Sequence, residues 1–193
     1  MEGHGALRIL TISGSLRKKS YNTAALEALR ELSPPDFEFV FHPLNGIPMF
    51  DQDDYEASGY PAEATALIDA VKAADGIVIA SPEFNHAPTG ALKNAIDWIS
   101  RCKPVPLVDK PVAIISAATS PNGGIRGQYA LRLILQPLEA QALLMPEVFI
   151  GSAKAKYDAG GRLVDEPARE ALKAQMAAFR RWILRLRPAA TPA

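Results

Sequence analysis

At 193 residues, with 48% apolar and 22% charged side chains, the chain can bury one substantial core and reads as a single domain over 1–193. Lys and Arg number 21 and Asp and Glu number 21; this zero net charge excludes the basic excess of a nucleic-acid binder and the acidity of a strongly negative electron shuttle. The one cysteine, Cys102, excludes an internal disulfide or a multi-cysteine metal site and points to a reducing cytoplasm, while no apolar run reaches the roughly 18 residues of a membrane span and MEGHGAL lacks a signal-peptide plan.

Strand-like and helix-like segments alternate along the chain. Leu7–Ile12 reads as a strand, and Asn22–Leu32 as a helix with Leu26 and Leu29 inward, stopped by Pro34 and Pro35. Phe37–Phe41 is a second strand. His42–Pro61 reads as a long irregular connection, of the kind that tends to be functional. A helix over Ala62–Ala74 precedes Gly76–Ala80 (GIVIA), an apolar run suited to a strand buried on both faces. Gly90–Ser100 is helical, Pro111–Ser116 a strand, Gly127–Leu138 helical and Met145–Ile150 a last strand. Leu172, Met176, Phe179, Ile183 and Leu186 then mark an amphipathic helix, with Arg180, Arg181, Arg185 and Arg187 on its solvated face. The ends, 1–6 and 188–193, read as frayed tails.

Five strands alternating with helices predict an α/β fold, a three-layer, doubly wound parallel sheet. With right-handed crossovers, the order 2-1-3-4-5 brings the loops after strands one and three to the switch point where ligands bind.

Both loops carry chemistry. In Ile9–Asn22 (ILTISGSLRKKSYN) a buried strand empties into a short loop and a helix, the layout of an anion cradle. Gly14 lets the backbone turn close to a ligand, and unpaired N–H groups open the helix. Ser15, Ser20 and Asn22 can donate hydrogen bonds, and Arg17 can fork onto two oxygens. The loop lacks dinucleotide glycine spacing, the GxxxxGK[ST] pattern and any cysteine nucleophile, so it suits holding a phosphate rather than transforming one. The competing reading is a polar loop with a Ser cap. After GIVIA comes SPEFNHAPTG, stiffened by Pro82 and Pro88; its backbone groups and the Asn85 amide suit a flat heterocycle, with Phe84 as an apolar surface beside it. Here the competing reading is a proline-rich turn with Phe84 in the core.

G-S-L-R-x-x-S-x-N in the first loop, and P-E-[FY]-N followed by G-x-L-K-N-A-I-D-W in the second, resemble the NADPH-dependent FMN reductases, flavodoxin-like quinone, azo-dye and chromate reductases. The resemblance runs from about Ile9 to Ile150. It implies a flavodoxin-like domain that binds FMN tightly, with NAD(P)H as co-substrate and quinones, flavins, azo compounds or chromate as small-molecule electron acceptors. The FMN phosphate would lie on Ser15, Arg17, Ser20 and Asn22, and its ring along Pro82, Glu83, Phe84 and Asn85. Ser116, Gly123 and Gly124, in the loop after the fourth strand, complete the expected cofactor site, the two glycines leaving a ring face open. Phe84 stands where tyrosine is frequent. No acid–base residue is expected, because the hard chemistry belongs to the flavin. The family's packing also implies a homodimer or homotetramer through Trp98 and the apolar residues of Met49–Tyr60.

Other reactive residues read as bland. Cys102 has no motif around it, His4, His42 and His86 are scattered, and Asp51, Asp53 and Asp54 lack the ordered spacing of hard-cation ligands, so no metal is expected. Two other classes stay open: a flavodoxin-type electron carrier without turnover, and a non-flavin α/β protein using the cradle for another phosphate.

Overall fold

The computed structural model describes residues 5–187; of the expected tails, residues 1–4 and 188–193 lie outside the described residues, and Gly5 and Ala6 are exposed. Strand β1 (Leu7–Ser13) alternates its apolar side chains, Leu7 and Ile9 to one face and Leu10 and Ile12 to the other. It pairs in parallel with β2 (Phe37–His42) and β3 (Gly76–Ala80), and β3 pairs with β4 (Pro111–Ala117). The register sets Ser13 opposite Ala80 and Ala80 opposite Ile115, so the carboxyl ends of the three central strands stand level. The sheet order is β2-β1-β3-β4-β5, as the alternation of elements predicts.

The fifth position differs in detail. It is shared by β5 (Gln141–Ala142) and β6 (Val148–Ile150), both parallel to β4. Between them Pro146 offers no N–H to a ladder, and Leu144 and Met145 turn outward. The buried Gln175 amide bridges the interruption, its Nε2 donating to Ile114 O at 3.1 Å and to Pro146 O at 2.9 Å.

Helices α1 (Tyr21–Leu32) and α6 (Glu166–Leu186) cover one face, where Leu26 and Leu29 meet Leu172, Met176, Phe179 and Ile183. Helices α3 (Ala62–Ala73), α4 (Gly90–Ser100) and α5 (Ile125–Leu135) cover the other. Burying one such aliphatic or aromatic side chain is worth roughly 1.5–3 kcal/mol, and Phe179 is wholly buried. Two of the arginines expected on a solvated face are tied down: Arg180 of α6 pairs with Asp36 at 2.7 Å, and Arg187, just past the helix, with Asp75 at 2.9 Å.

The long connection after β2 contains a helix that the sequence pattern did not reveal, α2 (Gln52–Ser58). Asp51 caps it by accepting from the Asp53 and Asp54 N–H groups, which gives the acidic cluster a structural role. The helix buries no residue, so it has no apolar period to read. The rings of the connection, Tyr55 of the helix with Phe50 and Tyr60 on either side, join a cluster on α4: Phe50 and Trp98 lie 4.9 Å apart, Tyr55 and Tyr60 5.0 Å. Asn94 and Trp98 both donate to Pro48 O at 2.8 Å, stapling the connection to α4.

Candidate cofactor site

The carboxyl edge of the sheet is where three helices, α1, α4 and α5, begin, and their N-terminal dipole ends face the same region. The β1–α1 loop is held at its root. Gly14 donates to Ala80 O at 2.8 Å, and a Cβ there would stand 3.1 Å from the Pro82 ring and 3.2 Å from Leu92. Thr89 then locks this loop to the next: its hydroxyl donates to Gly14 O at 2.6 Å while accepting from the Leu92 N–H to cap α4. Thr89 and Gly14 lie 75 residues apart, so the bond is visible only in the fold.

Beyond Gly14 the loop opens to solvent. Ser15 is half-buried and its hydroxyl oxygen accepts from the Arg17 N–H at 3.3 Å. Ser20 caps α1 by accepting from the Thr23 N–H at 3.3 Å. Both hydroxyls keep their own hydrogen to donate. The N–H groups of Tyr21 and Asn22 open α1, and no acidic residue lies in its first turn to compete with an anion. Arg17, Lys18 and Lys19 are exposed and have no carboxylate partner among the described residues. Asn22 has a structural role that the sequence did not reveal. Its buried amide donates to Ala117 O at 2.8 Å and accepts from Ala117 N–H at 2.9 Å, joining α1 to the end of β4.

The loops after β3 and β4 are built differently. Phe84 and Ala87 exchange backbone hydrogen bonds of 2.9 and 3.0 Å around Asn85 and His86, whose φ values are 50° and 64°. That is a two-residue turn with both central residues left-handed, a geometry Asn and His tolerate better than most. The turn carries Phe84 outward, 64% exposed, so it is not a core residue. Pro82 is buried at its base, and Asn85 and His86 are exposed, His86 lying 3.2 Å from Arg126.

Glu83 points the other way. Its carboxylate accepts from the Gly127 N–H at 2.9 Å and so caps α5, whose own cap residue, Gly124, has no side chain to do it. Gly123 and Gly124 have φ of 63° and 90°. A Cβ on Gly123 would come within 2.8 Å of the Phe149 and Gly151 backbone, and one on Gly124 within 2.9 Å of Ser116. The two glycines are therefore required by what lies beneath them. Ser116, wholly buried, donates to Gly123 O and accepts from Gln128, whose amide also reaches Val148 O at 2.8 Å. Gln128 is a part of the site that sequence reading missed, because nothing marks a helical glutamine as inward-facing until α5 is packed.

The remaining residues lie apart. Cys102 is half-buried beside Tyr60, whose hydroxyl burial and contacts push well above its ordinary range. The His42 ring lies 2.8 Å from the neighbouring Pro43 carbonyl, and His4 lies outside the described residues.

An open anion loop, joined through Thr89 to a rigid, aromatic-tipped turn at the switch point of a 2-1-3-4-5 sheet, defines a doubly wound protein built for a phosphate ester bearing a flat ring. The family model for NADPH-dependent FMN reductase matches residues 7–155, and the chain belongs to that family. An NAD(P)H-dependent FMN reductase of Pseudomonas aeruginosa is 42% identical over 181 residues, covering 94% of this chain and 97% of that protein. A quinone reductase of Escherichia coli is 38% identical over 183 residues, again with 94% and 97% coverage. Among solved structures, the flavoenzyme NAD(P)H:(acceptor) oxidoreductase of Paracoccus denitrificans superposes with a TM-score of 0.84 at 28% identity, over 93% of this chain and 98% of that one.

Proposed function

We propose that this chain binds FMN and acts as an NAD(P)H-dependent oxidoreductase that delivers two electrons to a quinone or a similar small acceptor. The observation that carries the reading is the Thr89–Gly14 bond, which fixes a free anion loop and a rigid ring platform at one sheet edge. The names of the relatives support it. The residues fit the cofactor. Ser15, Arg17, Ser20 and the first turn of α1 through Asn22 would hold the phosphate, and Pro82, Glu83, Phe84 and Asn85 with Ser116, Gly123 and Gly124 would form the ring site.

When bound, FMN supplies the redox chemistry, taking hydride from NAD(P)H and passing electrons to the acceptor. The chain positions and polarises. Backbone donors of the 82–87 turn and the dipole ends of α4 and α5 favour negative charge near the ring. The Glu83 carboxylate is held on α5, so its charge is offset where the ring would otherwise meet it. No side chain is assigned a proton transfer.

Two further parts of the reading concern the setting. No helix among the described residues is long and apolar enough to cross a membrane, and the single free cysteine and the co-substrate support a cytoplasmic location. Met49 is 74% exposed beside the α4 aromatic cluster, and this face is the one assigned to a homodimer or homotetramer. A flavin-loaded monomer in light scattering at micromolar concentration overturns that assembly.

The decisive test is a visible spectrum of the purified protein followed by NADPH addition with a quinone present. A flavin band that bleaches with NADPH and recovers with quinone is expected. A flavin band that NADPH leaves unbleached leaves an electron carrier, and a colourless protein that takes up no FMN removes the flavin reading altogether.

A further inference from the structure

The anion loop does not close behind its ligand. A groove of about 880 Å³ begins at Arg17, Lys18, Lys19 and Ser20 and continues along the outer face of α1, within the roughly 300–1,000 Å³ of ordinary small-molecule sites. Its floor is one stripe of that helix, Thr23, Ala24, Glu27, Ala28 and Glu31. Its far wall is the hairpin that pairs Tyr157 with Leu163, held over the start of α1 by Tyr157, whose hydroxyl donates to Tyr21 O at 2.9 Å. From Ser20 to Glu31 the stripe is about 16 Å long, at 1.5 Å per residue.

We propose that this groove is an adenylate subsite: it takes the adenosine 5′-phosphate half of a dinucleotide, next to the cradle that holds the FMN phosphate. The inference rests on the FMN reading above and extends it. Arg17 and Ser20 line both the cradle and the groove, so a second phosphate joined to the first passes directly from one to the other. Arg17, Lys18 and Lys19 all stand at this junction without a carboxylate partner among the described residues, so donors are free for the oxygens of both phosphates.

Further along, the charge pattern changes sign. Glu31 pairs with Arg169 at 3.4 Å, Asp158 with Arg162 at 2.9 Å and Glu27 loosely with Arg30 at 3.9 Å. Carboxylate oxygens accept hydrogen bonds from ribose hydroxyls and from an adenine amino group, but repel a further phosphate. Ala24 and Ala28 opposite Leu163 and Val164 leave an apolar slot for a flat base. Cations first, then acceptors and an apolar slot, is the order of groups along an adenylate.

Two molecules carry that group, FAD and the nicotinamide co-substrate. Along this stretch Glu27, Glu31, Asp158 and Glu166 outnumber Arg162 and Arg169, a balance that favours FAD over NADPH, whose ribose bears an additional phosphate. Ala159 and Val164 line the groove from the hairpin and lie outside the cradle, so Ala159→Trp and Val164→Glu obstruct only the groove. Apoprotein is titrated with FMN and with FAD by flavin fluorescence, and the KM for NADPH and for NADH is measured on the FMN-loaded protein. Native protein is expected to bind FAD within about tenfold of FMN. Each variant, with an unchanged melting temperature, is expected to weaken FAD at least tenfold and FMN less than twofold. A rise in the KM for either nicotinamide nucleotide with FAD affinity unmoved also supports the adenylate subsite and assigns it to the co-substrate. If FAD affinity and both KM values stay within twofold of native in both variants, or FMN weakens as much as FAD, the subsite is overturned. Native protein that binds neither flavin sinks the FMN reading and this inference with it.

Discussion

The loop after β1 and the pair of loops after β3 and β4 share one sheet edge, yet they are built in opposite ways. In the first, Ser15, Arg17, Lys18, Lys19 and Ser20 keep donors and charges free. In the second, Glu83, Ser116, Gln128, Gly123 and Gly124 are consumed by one another. A charged phosphate attracts from a distance and tolerates flexible partners, whereas a neutral flat ring needs a surface already in place. The difference separates residues left free to meet a ligand from residues that hold the protein in shape.

Substitutions sharpen that contrast, and the largest effect is expected beneath the ring platform. Gly123→Val forces a β-branched residue to a positive φ against neighbouring backbone, and a loss of about 3 kcal/mol is expected. Thermal melting should show it as a fall of roughly 6–12 °C, with or without flavin.

Arg17→Ala should do the reverse. The apoprotein melts as before, but flavin affinity falls at least tenfold, in line with about 1.5–3 kcal/mol for a charged hydrogen bond. Fluorescence titration checks this, and unchanged affinity would reject the phosphate assignment.

Glu83→Ala removes the cap of α5 and is expected to cost about 1 kcal/mol. Because Gln keeps an acceptor for the Gly127 N–H, Glu83→Gln should recover part of that in urea unfolding.

The smallest effect lies on the open side. The Arg162 backbone N–H, aided by its guanidinium, holds the Asp158 carboxyl below its ordinary value of 3.8. A depressed carboxyl stabilises the fold above its unfolded pKa, and that contribution is lost as pH falls through the folded value. The melting difference between native protein and Asp158→Asn should therefore be constant from neutral pH to about pH 4 and shrink only below it.

Much of this was legible before folding. GIVIA read as a strand buried on both faces and PVAIIS as a strand, and the β1 loop carried its own cap, cations and hydroxyls in one short stretch. Helix α2 was not legible, because a helix that buries nothing leaves no periodic signal. The divided fifth strand was not legible either, since Gln175 bridges it from the far end of the chain. Asn22, read as a phosphate donor, also proved to be a tie to Ala117, which no local pattern could have indicated.

The sequence by itself determined the alternating elements, the parallel sheet and the cap, cations and hydroxyls gathered in the first loop, because these depend on hydrophobic period, turn chemistry and residues adjacent in the chain. Only the tertiary structure decided that Thr89 joins the two loops, that Glu83 serves α5, that Gly123 and Gly124 answer to Ser116 and Phe149, and that a groove continues from the cradle along α1. Those features arise between residues tens of positions apart, and their energies exist only once packing has excluded water and fixed the partners' directions.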